Sequence, residues 1–524
     1  MTRLRFVLPA MLACLLASAA DRELTGRVVD ANTGEGVARA HLTIRFFAAG
    51  QPAPELTLLS DADGSFKVTN MPDGQYQVSC DKAGYLSASQ TMAAMPPTIH
   101  PDDKRTSTMV LKLTAQAAVE GTVVDDRDTP ADNVSIQLVR QEVMNGRRQL
   151  VVSQVGGTDE TGSFRIFGLP AGRYFVSVSA RLGGTRRTKP LAYPPFYYPK
   201  AIDIAAAQAI DLKAGDEAEI KIRLPEPMPA YQVSGVVVGA ANAGVTLTPQ
   251  EPSTGFQRSV GDVNWDPKTS SFRISHVPPG AYLLQADVMQ PGKNALFASV
   301  AVTVGSANVE GIRLEPVNAA LDGTLRIDDS TSARNAAGSV AAQSERYNNM
   351  AQVEPDGKFH IPNLRPGRYR IVPQIFTQQA CVRSITAGGR DVRDGLMVTG
   401  GVAPDPIEIT LTSHCGSVEV DLAASDGLPP NLTAYLLRKA GDELVLEKQG
   451  YQGPRTSDGV WHFMLQGVAP GDYVAYVWPG DAPIEYTNAD YMKQLESYGQ
   501  RVTVTEDGKA TVTIDRPVLM PAKN

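Results

Sequence analysis

The chain is predicted to be all-β: a tandem array of about five β-sandwich domains with short helical insertions. Three observations predict this. A Phe is followed eight positions later by Gly and ten positions later by Tyr in five places: GSFKVTNMPDGQY (Gly64 to Tyr76), GSFRIFGLPAGRY (Gly162 to Tyr174), SSFRISHVPPGAY (Ser270 to Tyr282), GKFHIPNLRPGRY (Gly357 to Tyr369) and HFMLQGVAPGDY (His462 to Tyr473). Apolar residues alternate with polar ones on either side of the motif, as half-buried strands require. The 46 Gly and 37 Pro residues supply many turns and leave little room for long helices.

Each copy reads as the same series of elements. An opening strand is built around a Gly: LTGRVVD (Gly26), VEGTVVD (Gly121), VSGVVVG (Gly235), LDGTLRI (Gly323) and CGSVEVD (Gly416). The motif strand follows, with Phe66, Phe164, Phe272, Phe359 and Phe463 facing a core. Pro and Gly74, Gly172, Gly280, Gly367 and Gly471 then break the ladder. Tyr76, Tyr174, Tyr282, Tyr369 and Tyr473 open the next strand, where each can bury its ring and hydrogen-bond its hydroxyl at the corner. A closing strand ends the unit: MVLKL, EIKIRL, VEGIRL, IEITL and TVTID. The expected domains are 22–115, 117–226, 230–318, 319–413 and 414–518, after an export signal at 1–20. Because they abut almost without linkers, they are expected to form a semi-rigid rod.

Length and composition fit this plan. At 524 residues the chain exceeds what one hydrophobic core supports. Residues 1–20 carry Arg3 and Arg5, an apolar run from Phe6 to Leu16 and the small residues Ala17-Ser18-Ala19, the pattern of a secretory signal peptide. An exported, periplasmic, cell-envelope or extracellular protein with no transmembrane span is expected. The net charge of −7, with no basic cluster beyond the pairs Arg147-Arg148 and Arg186-Arg187, excludes nucleic acid as the expected partner. Export permits a disulfide, and Cys381–Cys415 is the expected pair. Cys80 sits in an alternating strand as a small buried thiol.

The motifs GRVVDANTGEGVARAHLTI with SDADGSFKVTNMPDGQYQVSCDKAGY in the first copy, and VEGTVVDDRDTPADNVSIQLV with TDETGSFRIFGLPAGRYFVSVSA in the second, resemble the carboxypeptidase regulatory-like domain family, also described as transthyretin-like or prealbumin-like. The resemblance is good in the first two copies, fair in the fourth and weak in the third and fifth. It implies Greek-key, Ig-like/prealbumin-like sandwiches without catalytic residues of their own. Such modules accompany catalytic domains or surface receptors, and related sandwiches bind carbohydrate.

A search for chemistry agrees with a non-catalytic protein. None of His41, His100, His276, His360, His414 and His462 has a Glu three positions on, as a zinc hydrolase site would need. The Gly-x-Ser-x-Gly elbow and the Gly-Lys-Ser/Thr phosphate loop are also missing. Asp61, Asp159, Asp266 and Glu354 precede the motif Phe of the first four copies. They read as acids that hydrogen-bond their own turn, because further oxygen ligands for calcium are lacking. No metal and no cofactor is expected.

Aromatic residues supply the ligand candidates. AYPPFYYPK places Tyr193, Phe196, Tyr197 and Tyr198 within six positions, and three prolines hold the run extended and limit its pairing with a sheet edge. It lies between the Tyr174 strand and the closing strand, where the fifth copy carries EYTNADYMKQLESYGQ with a short helix from Asp490 to Tyr498. The rings either fold back over their own unit or over its junction with the next, or they stack on a ligand. Trp478, at the end of AYVWPGD, is a second candidate at a loop rim, whereas Trp461, two positions before Phe463, shares the core face. The expected function is an exported binding protein for carbohydrate or another envelope polymer. A structural spacer or assembly scaffold that binds an envelope protein is the alternative, and an accessory to a hydrolase the third.

Overall fold

A computed structural model describes residues 23–47, 55–69, 71, 74–87, 89–90, 98–99, 109–182, 190–250, 259–290, 295–317, 319–327, 334–335, 338–344, 347–375, 380–399, 404–423, 428–429, 431–451, 460–480 and 482–519. The expected export signal lies outside them. The chain is an all-β array of tandem sandwiches. It divides into two compact units, Met1–Leu138 with Ser153–Val176 and Gln208–Arg223, and Val139–Val152 with Ser177–Ala207 and Leu224–Asn524. The division runs through the second copy.

One strand arrangement recurs in every copy. The opening strand lies between the motif strand, antiparallel to it, and the closing strand, parallel to it. In the first copy Leu24–Asp30 pairs Ser65–Val68 on one side and Met109–Ala115 on the other. Ala117–Val124 does the same with Ser163–Leu169 and Glu217–Arg223, and Tyr231–Val237 with Ser271–Val277 and Val309–Leu314. Ala319–Ile327 pairs Lys358–Leu364 and Ile407–Thr412, and Gly416–Ala423 pairs Val460–Val468 and Lys509–Ile514. A second sheet, holding the Tyr strand, faces this one in the first, third, fourth and fifth copies, and each pair of sheets encloses its own core.

The register explains the glycine of the opening strand. Gly26 stands opposite Phe66 and beside Met109, and Gly323 opposite Phe359 and beside Ile407. A Cβ on Gly26 would lie 2.4 Å from the Phe66 ring and 2.5 Å from the Met109 carbonyl oxygen; on Gly323 the distances are 2.3 Å to Phe359 and 2.6 Å to the Ile407 oxygen. The ring and the neighbouring carbonyl therefore occupy the space that any side chain would need. Gly121 and Gly235 take the equivalent places. In the fifth copy the sequence match misleads: Gly416 pairs Val468, and the residue opposite Phe463 is Val420.

The tyrosines close the corners as expected where their bonds are seen. Tyr174 Oη donates to the Pro170 carbonyl at 2.7 Å, Tyr282 Oη to Pro278 at 2.8 Å and Tyr473 Oη to Ala469 at 2.7 Å. In the fourth copy the oxygen accepts instead, from the Arg365 backbone N–H at 3.1 Å. All five rings are buried. Burial pushes the Tyr282 and Tyr473 hydroxyls up to about 12.

Within the second unit, contacts also join copies that are not neighbours in sequence. Arg147 reaches Glu443 at 2.7 Å across 296 sequence positions. Arg148 Nε donates to the buried Glu485 carboxylate at 2.9 Å, and Thr487 Oγ1 to the Gly146 carbonyl at 2.7 Å. The hairpin of the second copy thus docks on the fifth. Between the fourth and fifth copies, Arg393 and Arg438 both face Glu447, at 3.1 and 3.6 Å, with all three side chains largely buried.

Candidate functional site

The aromatic run and Trp478 are where the structure departs most from a ligand platform. Phe196–Tyr197 adds two residues to the edge of the Tyr strand, pairing Val178 and Ser177. The prolines therefore do not keep this edge unpaired, because Phe196 and Tyr197, two of the three residues between Pro195 and Pro199, are enough for one ladder step. Tyr197 also exchanges backbone hydrogen bonds with Ala201 at 2.6 and 2.7 Å. Phe196 and Tyr197 are buried, and Tyr193 and Tyr198 are half-buried.

Trp478 is buried as well. It is 2% exposed and stacks on Tyr435, with centroids 4.0 Å apart and planes 12° from parallel. Around it a second apolar cluster of the fifth copy gathers Tyr476, Ile484, Tyr486 and Met492. The insertion after Trp478 builds this cluster. Its helix, Ala489–Gln494, is capped by Asn488, whose side chain accepts from the Tyr491 N–H at 3.2 Å, and a 3-10 turn, Glu496–Tyr498, ends at Gly499. Both insertions fold back on their own copy. That is the packing alternative of the two the sequence left open.

The cysteines pair as expected. Cys381, the first residue of the strand Cys381–Ala387 of the fourth copy, is bonded to Cys415, with Cα atoms 5.9 Å apart, and so ties that copy to the start of the fifth. Cys80 is a buried free thiol, pushed up to about 11 by burial.

The turn acids bond their own turns, with two shifts from the expected positions. Asp159 accepts from the Thr161 N–H at 2.8 Å and the Ser163 N–H at 3.0 Å, and Asp266 from the Lys268 N–H at 2.9 Å. In the first copy the main acceptor is Asp63 rather than Asp61, and in the fourth Asp356 rather than Glu354. Hydrogen bonds from Ser65, Thr161, Thr269 and Lys358 hold the carboxyls of Asp63, Asp159, Asp266 and Asp356 below the ordinary carboxylate value. Glu419, Asp421 and His462 have ligand-type atoms within 4.8 Å of one another. Within this group His462 Nδ1 lies 2.7 Å from Asp421, and Lys509 lies 2.7 Å from Glu419.

The second unit contains a cleft of about 560 Å³. Residues of four copies line it, including Arg147, Gln285, Tyr347, Arg368, Arg370 and Glu443. The strand Gly367–Ile375 forms one wall. Its Tyr369 points into the core of the fourth copy, so by strand alternation Arg368 and Arg370 share the opposite face. Arg365 donates to both oxygens of Asp287 at 2.8 and 3.0 Å, its guanidinium stacked 4.2 Å from the Phe297 centroid and 4.7 Å from that of Tyr347. Sequence reasoning missed this site because no local cluster marks it. The one available signal was GRYR itself, in which a core Tyr between two arginines forces both onto the outer face.

No helix among the described residues is long and apolar enough to cross a membrane. Among curated proteins, no sequence match is found. Solved structures similar to this chain include a streptococcal ancillary pilin, 14% identical over 57% of this chain and 99% of that one, with a TM-score of 0.20. The minor pilin GBS52 of Streptococcus agalactiae is 14% identical over 40% and 98%, with a TM-score of 0.21. The TIE protein of Bacillus anthracis is 12% identical over 74% and 69%, with a TM-score of 0.17. Scores this low carry no functional argument. Residues 23–113 match the family model for the carboxypeptidase regulatory-like domain. The match spans most of the first sandwich and does not reach the other copies.

Proposed function

We propose that this is a non-catalytic, exported binding protein whose ligand is a carbohydrate or another envelope polymer, held by tandem sandwiches with domain limits near 22–115, 117–226, 230–318, 319–413 and 414–518. The cleft of the second unit carries this reading. It is concave, near the middle of the size range of small-ligand sites (about 300–1,000 Å³), and lined by amide, hydroxyl and guanidinium groups next to aromatic rings. Such groups match a hydroxylated ligand, hydrogen-bonding its polar edges while rings cover its C–H faces. Tyr193 and Tyr198 remain as further candidates because they keep part of their surface. A glycan array and polysaccharide pull-downs with the exported chain test the reading. Binding to a defined polysaccharide class is expected, and a blank array rejects it.

A second reading, an assembly scaffold that binds an envelope protein, is favoured by the links between copies. The Cys381–Cys415 bond, the Arg393–Glu447 pair and the docked hairpin fix sandwich to sandwich. Isolation of a stable stoichiometric protein partner, with no glycan bound, would prefer it.

A further inference from the structure

We infer that the cleft binds an acidic saccharide, a chain of hydroxylated rings bearing carboxylates, with Arg368 and Arg370 as the anion-recognising groups. This rests on the carbohydrate reading above and names its ligand class.

Charge pairing within the cleft singles out these two arginines. Arg147 is matched by Glu443 at 2.7 Å. Arg365 is matched by Asp287 and held between two rings. Asp394 pairs its carboxylate with Arg438 at 2.8 Å, and its hydrogen bond with Arg368 is through the backbone carbonyl, at 3.0 Å. Arg368 makes no ion pair among the described residues. Arg370 is half-buried, and its guanidinium makes no hydrogen bond or ion pair among the described residues. Two guanidinium groups with no ion pair among the described residues therefore stand two residues apart on one strand face, roughly 7 Å from each other at the backbone. A guanidinium presents a planar fork that fits a carboxylate with two parallel hydrogen bonds. Partial burial strengthens that attraction by reducing the screening of water.

The rest of the lining favours a saccharide over an acidic peptide. Gln149, Gln343 and Ser299 add donors and acceptors that suit ring hydroxyls. Recognition of a peptide in extended form depends instead on a free sheet edge and on pockets for alternate side chains. Along this wall the edge is taken, since Arg370 pairs Gln343 and Arg368 pairs Met397.

Isothermal titration of the exported chain with oligogalacturonate, a neutral galacto-oligosaccharide of equal length and oligoglutamate tests the assignment. Oligogalacturonate is expected to bind at least about tenfold more tightly than the other two, and more weakly as salt rises. Arg370→Gln should weaken it about tenfold, the loss of one charge-assisted contact, and Arg370→Lys by less, because the ammonium keeps the charge without the fork. Arg368→Gln should act in the same direction. Its side chain is exposed, so it decides the matter if Arg370→Gln lowers the melting temperature. Unchanged oligogalacturonate binding in both variants overturns the cleft assignment but leaves a carbohydrate-binding protein. Equal binding of the neutral sugar, or tighter binding of oligoglutamate, overturns the acidic saccharide. If none of the three binds while the array finds a glycan, this inference falls alone; a blank array removes the wider reading with it.

Discussion

The fourth and fifth copies solve one packing problem in two ways. In the fourth, Phe359 lies across Gly323, and the Ile407 carbonyl fills the remaining space. In the fifth, Phe463 is just as buried, yet the residue opposite it is Val420, itself fully buried beside Val512. The conserved spacing from Phe to Tyr therefore does not impose a glycine on the neighbouring strand. A sandwich of this kind needs its inward volume filled once, by the ring lying over a bare backbone or by a ring placed beside a branched side chain.

Substitutions that exchange these solutions should separate them. Gly323→Val is the most damaging, because the new carbons meet both a ring and a backbone oxygen. A loss upwards of about 4 kcal/mol is expected, read as a collapse of the urea midpoint, and Phe359→Leu in the same chain should recover part of it. If Gly323→Val unfolds no sooner than the parent, the close approach is not what the glycine serves. Next comes the bond joining the two copies. Cys381→Ser with Cys415→Ser should remove about 4 kcal/mol by the chain-entropy account, and reductant should reproduce the effect in the parent but not in the variant. Val420→Ala should cost less, about 2 kcal/mol, since it deletes two methyl groups and leaves a small void.

The smallest effect concerns the corner. Tyr473→Phe removes one hydrogen bond, to the Ala469 carbonyl, for about 1 kcal/mol. Its pH dependence is more informative. Burial raises the Tyr473 hydroxyl from 10.0 to about 12, so the folded state holds a proton that the unfolded chain releases. The contribution is full below pH 10.0 and is lost as pH rises through about 12. The fall in the urea midpoint over that window should be shallower in Tyr473→Phe. An unchanged slope would show that Tyr473 is not held neutral by burial.

The motif rings, the corner tyrosines and the disulfide pair could be expected from sequence because each depends on local spacing or on a single pairing. The aromatic candidates were harder. Trp478 ends its strand before Pro-Gly, which reads as a rim, but the following insertion returns and covers it with Ile484, Tyr486 and Met492. Phe196 and Tyr197 were legible as an insertion, and their burial depended on which edge the insertion met. The cleft was not legible, since its arginines are spread from Arg147 to Arg370 and only the docked hairpin brings them together.

What the sequence alone determined is the all-β character, the repeated strand order and the identity of the buried motif residues. Alternation and turn chemistry act over a few neighbouring residues, so a linear string can encode them. Tertiary structure decided which residue stands opposite each motif Phe, whether exposed-looking aromatics are covered, and which charges are paired. Those outcomes depend on register and on contacts between residues hundreds of positions apart, such as Arg148 with Glu485 at a separation of 337. A one-residue change of register reverses the face of every side chain, so local patterns could not fix them.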